Sequence, residues 1–234
     1  MFYIDPLYII IMLPAIIFAG IASAMVKSTF QKYSKIPSRR GITGASAARR
    51  VLDANGLYHV AVERVAGDLT DHYDPRANVI RLSDATYHNT SAAAIGVAAH
   101  EAGHAVQHAV GYAPIKIRTA IIPVTNLGAK LTFPLILIGI LLSQYGAQYI
   151  TIAYAGILCF SFSTLFQLVT LPTEFNASRR AMEALDTYGI LDREELGQTK
   201  KVLTAAALTY VAALAHSLAN LLYLFMMVNR NDRR

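Results

Sequence analysis

Pro6 to Val26 reads PLYIIIMLPAIIFAGIASAMV, twenty-one residues without a charged side chain. A helix rises 1.5 Å per residue, so about 20 apolar residues cross the ~30 Å hydrocarbon core of a bilayer. This run is long enough for one crossing. Residues 131–171 and 202–228 are also free of Asp, Glu, Lys and Arg. The last block is one span. The middle block is long enough for two, with SQYGAQ (residues 143–148) as its only turn. Four spans are therefore expected, near 6–26, 131–147, 149–171 and 203–228. Composition agrees: 54% of the chain is hydrophobic and 15% charged, whereas soluble domains run near a quarter charged. An ordinary soluble domain is excluded.

The first span carries ASA at residues 22–24, which looks like a cleavage site. However, no Lys or Arg precedes the apolar run and Asp5 does, which is wrong for a signal peptide. A retained anchor is expected. The single Cys159 lies in the third span and has no partner for an internal disulfide.

Charge sets the orientation. Residues 27–130 hold 13 Lys and Arg, residues 172–202 hold 5, and the tail holds 3. Two crossings separate the first two segments, so they share a side. By the positive-inside rule that side is the cytoplasm. The net charge of +6 is explained by this topology, and no nucleic-acid partner is inferred.

The chain is thus divided into an N-terminal anchor (1–26), a small globular part (27–130), a two-span hairpin (131–171), a connector with a short helix (172–202), and a last span with its tail (203–234). Within the globular part, residues 27–42 read as a polar connector. TGASAARRVLDANG (43–56) reads as a helix capped by Thr43 and closed by Asn55-Gly56. YHVAVERV (58–65) and ANVIRLS (77–83) read as strands, with DHYDP (71–75) as a turn between them. Ser91 caps a helix running to about Val110.

That helix contains AAHEAGHAVQHAVG (98–111). His100-Glu101-Ala102-Gly103-His104 is an H-E-x-x-H sequence. Four residues turn a helix by about 400°, so the two imidazoles share a face and can reach one Zn²⁺ at about 2.0–2.1 Å. Glu101 points beside the metal, placed to take a proton from a metal-activated water. The small residues Ala98, Ala99, Ala102, Gly103 and Ala105 would admit a close neighbour.

His108 is a poor third ligand, since it lies about 12 Å along the axis from His100. It reads as a helix-surface or supporting group. Gln107 and Val110 occupy the Gly and His positions that the longer three-histidine pattern requires. The better candidate is Glu174 in LPTEFNASRRAMEALDTYG (171–189), where Pro172 and Thr173 open a helix with Glu174 in its first turn. A carboxylate there would complete a two-His, one-Glu site with a fourth position for water. The competing reading is that Glu174 merely complements the helix N-terminus.

The segments LTDHYDPRANVIRLS, VAAHEAGHAVQHAVGYAPIKIR, LPTEFNASRRA and KVLTAAALTYVAAL occur in this order. In this the chain resembles the YugP-like membrane zinc metallopeptidases of bacteria, which share the zinc-site logic of the gluzincins. The resemblance implies a zinc site of His100, His104 and Glu174, with Glu101 as catalytic acid/base. It also implies that NVIRLS is an edge strand beside the cleft, able to pair with an extended peptide. Many gluzincins carry an Asp four residues after the Glu ligand. Here that position is Ser178, so support for the zinc histidines is expected from elsewhere. Tyr87, His88, His72 and Arg179 are candidates for stabilising the oxyanion.

Asp71, His72 and Asp74 read as a hydrogen-bonded turn rather than a second metal site. His216 lies inside the last span, on a polar stripe with Thr209, Asn220 and Tyr223, and reads as bundle packing. The expectation is a mainly α integral membrane protein: four transmembrane helices with a small α+β zinc-metallopeptidase domain. It would be a bacterial inner-membrane endopeptidase with one Zn²⁺ per chain, acting on peptides or membrane proteins at the cytoplasmic face, in contact with membrane lipid. The alternatives are a non-catalytic zinc-containing scaffold or adaptor, and a transporter using His216.

Overall fold

The computed structural model describes residues 5–232. In chain order the elements are α1 (Pro6–Tyr33), α2 (Gly44–Ala54), β1 (Ala61–Val65), β2 (His72–Asp74), β3 (Val79–Ser83), α3 (Asp84–Tyr87), α4 (Ala92–Ala109), α5 (Ala113–Leu142), α6 (Ile150–Thr187) and α7 (Arg193–Asp232). The chain forms two compact units. One draws on Met1–Ile21, Ile117–Leu171 and Thr209–Arg234, the other on Ala22–Lys116 and Pro172–Leu208.

The first unit is apolar. The helices α1, α5, α6 and α7 are each long and apolar enough to cross a membrane, and no more than 22% of the most apolar stretch of each is buried. Ile9, Ile10, Leu13, Ile16 and Ile17 of α1 are exposed, the arrangement a hydrocarbon solvent favours. Small residues let α5 and α6 meet closely, as in membrane helix pairs. A Cβ at Gly128 would lie 2.6 Å from the Cys159 carbonyl oxygen, and Gly139 abuts the backbone of Ala153. Ile136, Ile150, Ala153 and Val228 form the buried cluster. Thr164 and Ser217 hydroxyls join α6 to α7 at 2.8 Å. On the stripe of His216, Tyr223 packs edge-on against Tyr8 with centroids 5.0 Å apart.

The expected turn falls at the 3₁₀ segments Ser143–Tyr145 and Ala147–Tyr149, but α5 starts well before residue 131. Residues 131–142 would rise only about 18 Å, short of the ~30 Å a crossing requires. The apolar helix therefore includes earlier residues, Lys130 among them. Likewise α1 runs on to Tyr33, so half of the expected polar connector is helical.

The second unit packs two capped helices over a small sheet. Thr43 caps α2 by accepting from the Ser46 amide, and Ser91 caps α4 by accepting from the Ala94 amide. Gly56, at φ +73°, lets the chain leave α2 in the left-handed conformation that glycine adopts without strain. Asp192 and Glu195 form a reciprocal capping box at the start of α7, each side chain accepting from the other's amide at 2.9 Å. The core joins Val51 and Leu52 of α2, Ile95, Ala98 and Ala102 of α4, Ile80 and Leu82 of β3, and Ala181 and Leu185 of α6.

The sheet order is β1-β3-β2. β3 pairs parallel with β1 from Ala61↔Val79 to Val65↔Ser83, and antiparallel with β2 at Tyr73↔Ile80. The segment expected as an edge strand is therefore central, with both backbone edges in use, and cannot add a peptide strand. The segment expected as a turn is partly strand β2. The turn follows it, where the Asp74 carboxylate accepts from the Arg76 amide at 3.0 Å and Asn78 takes φ +51°. Asp71 accepts from the amide and hydroxyl of Ser83 at 2.8 and 2.9 Å, and Asp74 pairs with Arg81 at 3.1 Å. These carboxylates serve local structure.

Arg49 clamps the exit of α2. Its guanidinium pairs with Asp53 at 2.8 Å and donates to the Val60 and Leu57 carbonyls at 2.5 and 2.8 Å. Arg49→Ala should lower stability by about 1–3 kcal/mol, because two part-buried carbonyls lose charged donors. Thermal unfolding of the purified protein checks this, and an unchanged midpoint would refute the clamp.

Candidate metal centre

His100, Glu101 and His104 project from α4 and Glu174 from α6. The helix α6 is continuous through Pro172, so Glu174 lies inside a long helix and not in the first turn of a new one. The expected alternative, that Glu174 complements a helix N-terminus, is thereby removed. What brings Glu174 to α4 is a close crossing: a Cβ at Gly103 would lie 2.7 Å from the Ala177 carbonyl oxygen. Ala98, Ala102 and Ala105, on the other side of α4, are buried in the core with Val51, Leu52, Ile80 and Leu82.

The ligand atoms of His100, His104 and Glu174 all lie within 4.8 Å of one another. The Nε2 atoms of His100 and His104 stand 3.3 and 3.5 Å from the same oxygen, Glu174 Oε2. Charge-assisted hydrogen bonds are shorter, about 2.7–2.9 Å. Two donors held at 2.0–2.1 Å from one ion at the tetrahedral angle are about 3.3 Å apart. The observed spacings match the edges of such a tetrahedron. Two neutral nitrogens and one carboxylate are also a donor set that zinc favours. The residues present fit the ion.

Hydrogen bonds to Nδ1 fix both rings. His104 Nδ1–H donates to Gln107 Oε1 at 3.0 Å, while Gln107 Nε2 donates to the Thr173 carbonyl at 2.7 Å and to Asn176 Oδ1 at 3.0 Å. Since the Gln107 amide nitrogen is occupied, its oxygen must face His104. That assigns the proton of the neutral ring to Nδ1, so that the neutral form turns the Nε2 lone pair toward the cluster. Arg180 Nε donates to the same Asn176 oxygen at 2.8 Å. His100 Nδ1 lies 3.1 Å from Ser178 Oγ. Thus Ser178 itself supports a histidine, at the position where the sequence pointed elsewhere. Gln107, fully buried, was read only as a mismatch to another pattern. Its spacing of three from His104, on the same helix face, is the one sequence feature that could have revealed it.

Burial acts against a charged His104, but the hydrogen bond with Glu174 and the nearby charges of Glu101 and Glu174 outweigh it. Its pKa in the metal-free protein is therefore raised above the ordinary imidazole value. A bound cation must displace that proton.

Glu101 is buried at 9% exposure, and its carboxylate makes no hydrogen bond among the described residues. His108 packs against Tyr73 with ring centroids 5.5 Å apart and is not in the cluster. Of the four oxyanion candidates, Arg179 turns to Glu183 at 3.8 Å and His72 Nδ1 bonds the Thr70 carbonyl at 2.8 Å. Tyr87 and His88 contact each other edge-on. None is bonded to the cluster.

Residues 8–229 match the family described as "putative neutral zinc metallopeptidase". The chain is 46% identical over 227 residues to the "putative membrane protease YugP" of Bacillus subtilis (strain 168), covering 97% of this chain and 98% of that protein. No solved structure shows a significant match. The chain belongs to this zinc metallopeptidase family.

The Gln107 bonds yield a direct expectation. Gln107→Met keeps the volume but frees the His104 ring, and should weaken zinc affinity by about 10–100-fold. Competition with a chromogenic chelator measures it, and wild-type affinity would remove Gln107 from the site.

Proposed function

We propose that this member of the neutral zinc metallopeptidase family is a membrane-embedded zinc-dependent endopeptidase that hydrolyses peptide bonds near the cytoplasmic membrane face. The observation that carries the reading is the convergence of two Nε2 atoms on Glu174 Oε2 at tetrahedral-edge spacings, with an unengaged, buried Glu101 beside them.

His100, His104 and Glu174 would hold one zinc ion, which when bound supplies Lewis acidity and acidifies water. Glu101 accepts a proton from the attacking water and returns it to the nitrogen of the leaving amine, so the acid and base roles fall to one carboxylate. Gln107 and Ser178 keep the imidazoles aimed throughout. Burial of Glu101 beside the cluster excludes bulk water from the proton path.

The substrate class proposed is a peptide or membrane protein reached close to the bilayer, because Glu174 follows the charge-free block ending at Leu171 by only three residues. The cytoplasmic side rests on charge: 18 of 21 basic residues lie in segments 27–130 and 172–202. A structural zinc scaffold is the alternative. It is disfavoured because structural sites are closed by four ligands and need no free carboxylate.

Glu101→Gln should retain zinc but lose peptidase activity by at least about 100-fold, the scale of general acid–base assistance. Zinc analysis and a peptide-cleavage assay on one preparation separate the two effects, and wild-type turnover by the Gln variant would end the assignment. For orientation, an Asp68→Cys label in a Cys159→Ala background should react with a membrane-impermeant thiol reagent only after cells are opened. Ready labelling of intact cells would place the site outside.

A further inference from the structure

Next to the end of the apolar run of α1 and the start of that of α7 lies an open groove of about 610 Å³. Three lysines line it: Lys32 from α1, and Lys200 and Lys201 from α7. No carboxylate lines it, and none of the three forms an ion pair among the described residues. The ammonium groups of Lys32 and Lys201 sit 5.4 and 5.8 Å from the centroid of the same ring, Tyr33. That shared ring brings Lys32 of α1 and Lys201 of α7 to one place. Gly197 leaves this end open, with no atom within 4 Å of a Cβ built there.

Polarity changes along the groove. The hydroxyl residues Thr29 and Thr204 line it one turn away from the lysines, and Met25, Ala205 and Leu208 follow. Seven residues separate Met25 from Lys32 and Lys201 from Leu208, on the order of 10 Å of helix in each case. Cations, then hydroxyls, then hydrocarbon is the order of groups that complements a phospholipid. A soluble anion would leave the apolar end wet, and a neutral lipid would leave three uncompensated cations.

We propose that this groove is a binding site for one anionic phospholipid, with the phosphodiester held by Lys32, Lys200 and Lys201 and the upper acyl chain against Met25 and Leu208. Basic clusters flanking membrane helices attract anionic headgroups, and a pocket converts that attraction into a site. The proposal stands apart from the peptidase reading, since it uses none of the metal residues.

The test uses the purified full chain in non-ionic detergent, titrated separately with dioleoyl phosphatidylglycerol and dioleoyl phosphatidylcholine, with bound lipid counted by native mass spectrometry. The wild type should bind one phosphatidylglycerol in preference to phosphatidylcholine. The triple variant Lys32→Ala, Lys200→Ala, Lys201→Ala should lose that preference by about tenfold or more. The corresponding triple Arg variant should keep it, as should Lys27→Ala with Lys35→Ala, whose lysines lie outside the groove. Thermal unfolding establishes that each variant is folded, and Lys200→Ala alone serves if the triple variant is not. Equal retention of both lipids overturns the site. So does an unchanged preference in the Ala variant, or an equal loss in the Lys27/Lys35 control. Displacement of the lipid by millimolar inorganic phosphate would show a free-anion site instead.

Discussion

The polar unit depends on how closely α4 and α6 cross. At Gly103 there is room for a hydrogen and not for a methyl, since a Cβ would stand 2.7 Å from the Ala177 carbonyl. Within one turn on either element are the groups that meet, His100 and His104 on α4 and Glu174 on α6. A metal site tolerates errors of a few tenths of an ångström in ligand distance. A separation of the helices by one methyl radius would exceed that. Gly103 is therefore a distance setting. The alanines of α4 are small as well, so Val51, Leu52, Ile80, Leu82 and Leu185 supply the larger side chains of the core they share.

The four apolar segments and the two capped helices were legible because each rests on local physics: hydrocarbon length for the spans, and a side-chain oxygen three residues before an amide for Thr43 and Ser91. The pairing of His100 with His104 was legible for the same reason, since helical periodicity alone puts both on one face. Glu174 needed only an even number of crossings.

What escaped the sequence was set by contacts between elements. β2 is three residues long, too short to show alternation, so nothing announced that β3 would gain a partner on each side. Pro172 reads as a helix start because it cannot donate to the ladder. Yet α6 passes through it, losing one hydrogen bond, and the residues that follow it pack on α4. Ser178 and Gln107 were missed because hydrogen bonding to an imidazole edge follows from ring orientation. That orientation is fixed only once the helices have crossed.

The continuity of α6 from Ile150 to Thr187 has a bearing on length tolerance. Most proteins absorb insertions and deletions in loops between a buried anchor and a functional group. Here no joint separates the charge-free stretch from Glu174. One residue added between them would turn everything beyond it by about 100° and shift it 1.5 Å along the axis, so the misfit would fall either on the carboxylate or on the apolar seam with α5. Along this segment a substitution leaves the register of the helix intact, whereas a change of length cannot.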